Sequence, residues 1–104
     1  MQKYKTVLSA VHCAGLRNLI SYVCRNEDFK DKPIFLAAIM EVMLVLNKKE
    51  IEYKREYKIT FSAVQAIAVS KLYAEYISPH ADFTNDFTSR MLMIHNEITQ
   101  KIAN

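Results

Sequence analysis

The 104-residue chain is predicted to be all-α: about four helices packed as a small bundle, in one domain spanning residues 1–104. Three observations point there. Backbone breakers are scarce, since Gly15 is the only glycine and Pro33 and Pro79 the only prolines, whereas all-β domains need many such residues in tight turns. Ala, Leu, Met, Lys and Glu, which favour helices, are common. Finally, Phe87, Met91, Ile94, Ile98 and Ile102 recur at helical spacing, one above the other on a single face.

A composition of 51% hydrophobic and 24% charged residues suits a globular domain rather than a disordered chain. Helix 1 is expected from about Lys5 to Arg25, with Val7, Leu8, Val11, Ala14, Leu19, Tyr22 and Val23 on its apolar face. Gly15 lies within that face, where a bare backbone would let a second helix approach closely. Residues 25–31 form a polar connection, and Asp31 and Pro33 suit the start of helix 2. From Ile34 to Leu46 that helix is apolar almost all round, the pattern of a helix buried on every side or covered by another chain. Helix 3 is expected from Ser62 to Ser78, opened by a Ser62–Gln65 capping box and ended by Pro79. Its core stripe is Val69, Leu72, Tyr73, Tyr76 and Ile77. Helix 4 runs from Phe83 or Asn85 to Ile102.

Residues 50–60 are ambiguous between a helix extension and a strand. As a helix, Tyr53, Tyr57 and Phe61 continue the stripe of Ile39, Val42 and Leu46. As a strand, apolar residues stand at the odd positions except Arg55, and polar residues at the even ones. A helix through about Tyr57 is favoured, because Lys and Glu are weak strand formers. A lone strand would need a partner, most simply from a second subunit. No internal repeat, linker or low-complexity segment is read in the chain.

Cys13 and Cys24 on one helix would stand about 16 Å apart, too far for a disulfide. Two free thiols, no signal peptide and no apolar run of the ~20 residues that a membrane span needs place the chain in the reducing cytoplasm as an expectation. No catalytic constellation stands out. His12, His95 and the solvated His80 lack partners at ligand spacing, His12 and Cys13 diverge by about 100° on a helix, and one glycine builds no phosphate loop. The expectation is a protein that is not an enzyme, with no catalytic, cofactor or metal residues.

Three functions stay open. The leading one is a non-enzymatic regulatory or interaction protein, acting on a protein partner or by self-association through Phe35, Ile39, Met40 and Met43 of helix 2. Its candidate interaction surface is Lys48, Lys49, Tyr53, Lys54, Arg55, Tyr57, Lys58 and Met93. The alternative is a dimeric nucleic-acid-binding regulator using the basic-aromatic segment 48–58, where Lys and Arg would meet phosphates and Tyr53 and Tyr57 would stack on bases. A net charge of +3 permits this without requiring it. If residues 50–60 form a strand, strand–helix–helix resembles the ribbon-helix-helix arrangement in element order, over the C-terminal half alone. Residues 79–83, Pro-His-Ala-Asp-Phe, replace the short Gly-containing turn expected between its helices. The third reading is a small, nucleotide-like ligand held between helices near His12, Tyr22 and His95.

Overall fold

Residues 3–9 read Lys-Tyr-Lys-Thr-Val-Leu-Ser, and residues 56–62 read Glu-Tyr-Lys-Ile-Thr-Phe-Ser. Both alternate side by side at the strand period of two. In the computed structural model, which describes residues 2–80, 82 and 85–103, they form strands β1 (Lys3–Ser9) and β2 (Glu56–Ser62). The strands pair antiparallel, with Lys3 opposite Ser62, Thr6 opposite Ile59 and Ser9 opposite Glu56. Tyr4, Leu8, Tyr57, Ile59 and Phe61 point inward and are buried. Lys3, Lys5, Val7, Glu56, Lys58 and Thr60 point outward.

Each strand runs straight into a helix. Ser9 caps α1 (Ala10–Asn26) by accepting a hydrogen bond from the His12 amide at 3.0 Å. Ser62 caps α3 (Ala63–Leu72) through the expected capping box with Gln65, at 3.2 and 3.0 Å. A wider π-type turn over Tyr73–Ile77 and a 3-10 turn over Ser78–His80 continue α3. The second helices are α2 (Pro33–Glu50) and α4 (Asp86–Ala103). The four helices cover the inner face of the ribbon and share one continuous core with it. A two-stranded ribbon is marginal alone. Here the burial of Tyr4, Leu8 and Phe61, about 1.5–3 kcal/mol each, ties it to the helices.

The chain is therefore broadly a helical bundle but not purely α. Lys5–Ser9 are strand rather than helix 1, because side-chain burial at every second position outweighs their place in a helical pattern. Helix 1 also turns a shifted face inward: Cys13, Leu16 and Ile20 are buried beside the expected Val23, while Val11 is 76% and Tyr22 58% exposed. The helix favoured through Tyr57 ends at Glu50, and β2 follows. The partner of β2 is β1 of the same chain, so the ribbon requires no second subunit.

The structure also overturns the reading that the chain lacks a repeat. Lys3 and Glu56, Ala10 and Ala63, and Pro33 and Asp86 open equivalent elements, each pair 53 positions apart. Between residues 4–19 and 57–72, Tyr, Lys, Ser, Ala, Val and Leu recur at six of sixteen aligned positions without a gap. The pairing of Thr6 with Ile59 joins two equivalent positions, so a pseudo-two-fold axis passes through the middle of the ribbon. Strand–helix–helix occurs twice, and the buried residues Cys13, Leu16 and Ile20 match Ala66, Val69 and Tyr73.

Candidate nucleic-acid interface

The outward face of the ribbon presents a regular array of polar side chains. Alternation brings Lys5 opposite Thr60 and Val7 opposite Lys58 at its centre, with Lys3 opposite Ser62 and Glu56 opposite Ser9 at its ends. Lys3, Lys5, Glu56, Lys58 and Thr60 are exposed, and Val7 is 42% exposed. No described element of the chain covers this face.

The ribbon is braced from behind. The Arg90 guanidinium on α4 donates to Thr6 Oγ1 at 2.9 Å and to the Val7 carbonyl at 2.8 Å. The Tyr4 hydroxyl donates to Glu97 Oε2 at 2.6 Å, and Lys101 Nζ lies 5.2 Å from the centre of the Tyr4 ring. Burial, reinforced by the Glu97 hydrogen bond, pushes the Tyr4 phenol from 10.0 up to about 12. At one end of the ribbon the Ala10 amide donates to the Arg55 carbonyl at 2.8 Å.

The two halves differ where their second helices begin. Phe87 of α4 lies over Gly15, where an added Cβ would stand 2.9 Å from the ring. Gly15 thus serves the close approach expected of it. Beside it His12 Nε2 lies 2.7 Å from Asp86 Oδ2. The equivalent residues in the other half are Ile34 and Ala68, and there the packing stays open. Ile34 is 80% exposed, and a groove of about 440 Å³ runs between α2 and α3, floored by Phe35, Ala38, Val64, Ile67 and Ala68. Asp31, Lys32, Lys71 and Glu75 also line it.

The residues expected to form one interaction surface are dispersed. Lys58 alone lies on the outer ribbon face. Lys48 and Lys49 are exposed near the end of α2, Tyr53, Lys54 and Arg55 in the connection that follows, and Met93 is 54% exposed on α4. Tyr57 is no stacking platform: it is 4% exposed, and its hydroxyl accepts from the Lys54 amide at 3.1 Å. Within the proposed self-association set, Ile39 is wholly buried in its own core, Phe35 and Met43 are partly buried against it, and Met40 is 47% exposed. His12 and His95 are engaged separately, because His95 Nδ1 lies 2.6 Å from Ser70 Oγ and its ring packs 4.8 Å from Tyr73. Tyr22 is 58% exposed, and the groove between α2 and α3 is lined by none of these three.

Sequence reasoning missed Lys3, Lys5 and Thr60, although the recurrence of Tyr-Lys-x-x-x-Ser-Ala-Val at residues 4–11 and 57–64 carried the signal. Both thiols are free. Among the described residues no group of His, Cys, Asp and Glu is arranged to hold a metal ion, and no helix is long and apolar enough to cross a membrane. Comparison with protein-family models, with curated proteins and with solved structures found no match.

Proposed function

We propose that the chain is a non-enzymatic protein that binds duplex DNA by laying its ribbon in the major groove. One observation carries this reading: a braced two-stranded ribbon whose uncovered face presents Lys3, Lys5, Lys58 and Thr60. The major groove, about 12 Å wide, admits a two-stranded ribbon, and Lys and Thr side chains meet hydrogen-bonding groups on base edges there. The strand–helix–helix order resembling the ribbon-helix-helix arrangement now recurs in both halves. A single chain supplies both strands of the ribbon, so one copy suffices as the reading unit.

The test is fluorescence anisotropy with labelled duplex DNA across a salt series. The wild-type chain binds at low salt and weakens steeply as salt rises, because phosphate contacts release counterions. K5E/K58E reduces affinity on the order of 100-fold or more while the fold, read by circular dichroism, is retained. Unchanged affinity in that variant would refute the ribbon as the binding surface.

A second reading, docking of a protein partner or a second copy at the α2–α3 groove, is favoured by the exposed Ile34, Val64 and Ile67. Light scattering on wild-type chain and I34E separates the two. A wild-type oligomer that I34E converts to monomer supports the groove as an interface.

A further inference from the structure

Resting on the duplex-DNA reading above, we infer that the ribbon recognises a non-palindromic site: two guanine contacts related by the pseudo-dyad, between unequal flanks. A ribbon built from two identical chains must present the same side chains to both half-sites. Here both strands belong to one chain, so the halves are free to differ, and their outer faces do.

Lys5 and Lys58 are equivalent positions, both exposed on the outer face and each next to the dyad pair Thr6–Ile59. Each reaches the O6 and N7 acceptors of a guanine, the commonest lysine contact in the major groove. Val7 and Thr60 are also equivalent but chemically different. Val7, 42% exposed, offers only apolar contact and so suits a thymine methyl group. Thr60 offers a hydroxyl as well, and accepts a wider set of bases.

The ends diverge further, because Lys3 in one half is matched by Glu56 in the other. Lys3 stands opposite Ser62 and Glu56 opposite Ser9, all on the same face. Lys3 meets phosphate or guanine. Glu56 repels phosphate and, as a pure acceptor, fits a cytosine N4 amino group. Lys54 and Lys58 flank it along the chain and keep that end attractive to the backbone.

The experiment is selection from a randomised duplex library with the full chain at low salt, followed by sequencing, for wild type and V7T/E56K. Both substitutions lie on exposed positions, and equal melting temperatures verify that the variant is folded. The wild type is expected to enrich a motif whose two halves differ, with replacement of either flank by a symmetric copy of the other costing about tenfold in affinity. In V7T/E56K the two halves converge towards a palindrome. A palindromic wild-type motif, or an unchanged asymmetry in V7T/E56K, overturns the inference while leaving DNA binding intact. So does salt-sensitive retention with no enriched motif. No retained DNA overturns the duplex-DNA reading itself, and this inference with it.

Discussion

At the scale of single residues, burial sets the chemistry. The Cys13 thiol is fully buried, and desolvation, with the Glu50 charge second, pushes it from 9.0 up to about 11. Cys24 is raised by burial too, but it is only partly buried. Alkylation followed by mass spectrometry should therefore label Cys24 first, and Cys13 only once the chain unfolds, because the thiolate is the reactive species. The same burial makes stability fall in alkali. Cys13 and Tyr4 stay protonated in the folded chain where the unfolded chain already ionises, so the folded state binds more protons. Stability is then full below about pH 9 and is lost as pH rises towards 11–12. Urea midpoints measured at about pH 8 and about pH 10.5 should show that drop, and C13A should lessen it. Gly15 is a residue that the sequence singles out correctly. An added methyl there gains roughly 1 kcal/mol of helix propensity but meets the Phe87 ring at 2.9 Å, an overpacking cost of about 1–3 kcal/mol. G15A should thus be destabilised by on the order of 1 kcal/mol, and less so in the F87A background, where the ring is gone.

At the scale of elements, what was legible depended on whether local signals stood alone. The capping box at Ser62 and Gln65 is such a signal, and it forms as read. The stripe of Met91, Ile94 and Ile98 is another, since all three are buried, with Ile102 falling outside at 51% exposure. Residues 5–9 read as helix and residues 50–60 stay ambiguous in the sequence, because a strand gains its stability from its partner. Lys and Glu disfavour strands on average, yet here they occupy only the solvent side of a ribbon whose other side is Tyr, Leu and Phe. Propensity averaged over both faces hides that division. The cap at Ser9 was hidden for the same reason, inside a helix assigned too early. S9A and S62A should each lower stability by about 1 kcal/mol in urea titrations, S62A somewhat more, because Ser62 belongs to a reciprocal capping box. R90A should loosen the ribbon specifically. Amide hydrogen exchange should quicken in β1, to which Arg90 donates through Thr6 and Val7, and in the paired β2, while the α3 amides change little.

At the scale of the whole molecule, the organising feature is the pseudo-two-fold axis. It explains why the chain can be small, mostly helical and nearly without glycine while still containing a sheet. Each half turns from strand to helix at a serine cap, and the strands meet each other across the axis without a hairpin. The symmetry also separates two kinds of surface. The outer ribbon face is nearly symmetric at Lys5 and Lys58, whereas the start of the second helix is closed by Phe87 in one half and open at Ile34 in the other. Of the candidate site, the sequence made legible its basic character and one residue, Lys58; the rest depended on pairing residues 3–9 with 56–62. Because β1 and β2 complete each other, residues 1–52 expressed alone should not fold as a monomer, and circular dichroism with light scattering would show an unfolded or self-associated fragment.

The most direct measurement is an NMR titration of the isotope-labelled chain with a short duplex DNA. Chemical-shift changes concentrated in residues 3–9 and 56–62, fading as salt is raised, are the expected result. Changes confined to the groove between α2 and α3, or to the Lys48–Arg55 segment, would contradict the ribbon as the binding surface, and no change at low salt would contradict DNA binding altogether.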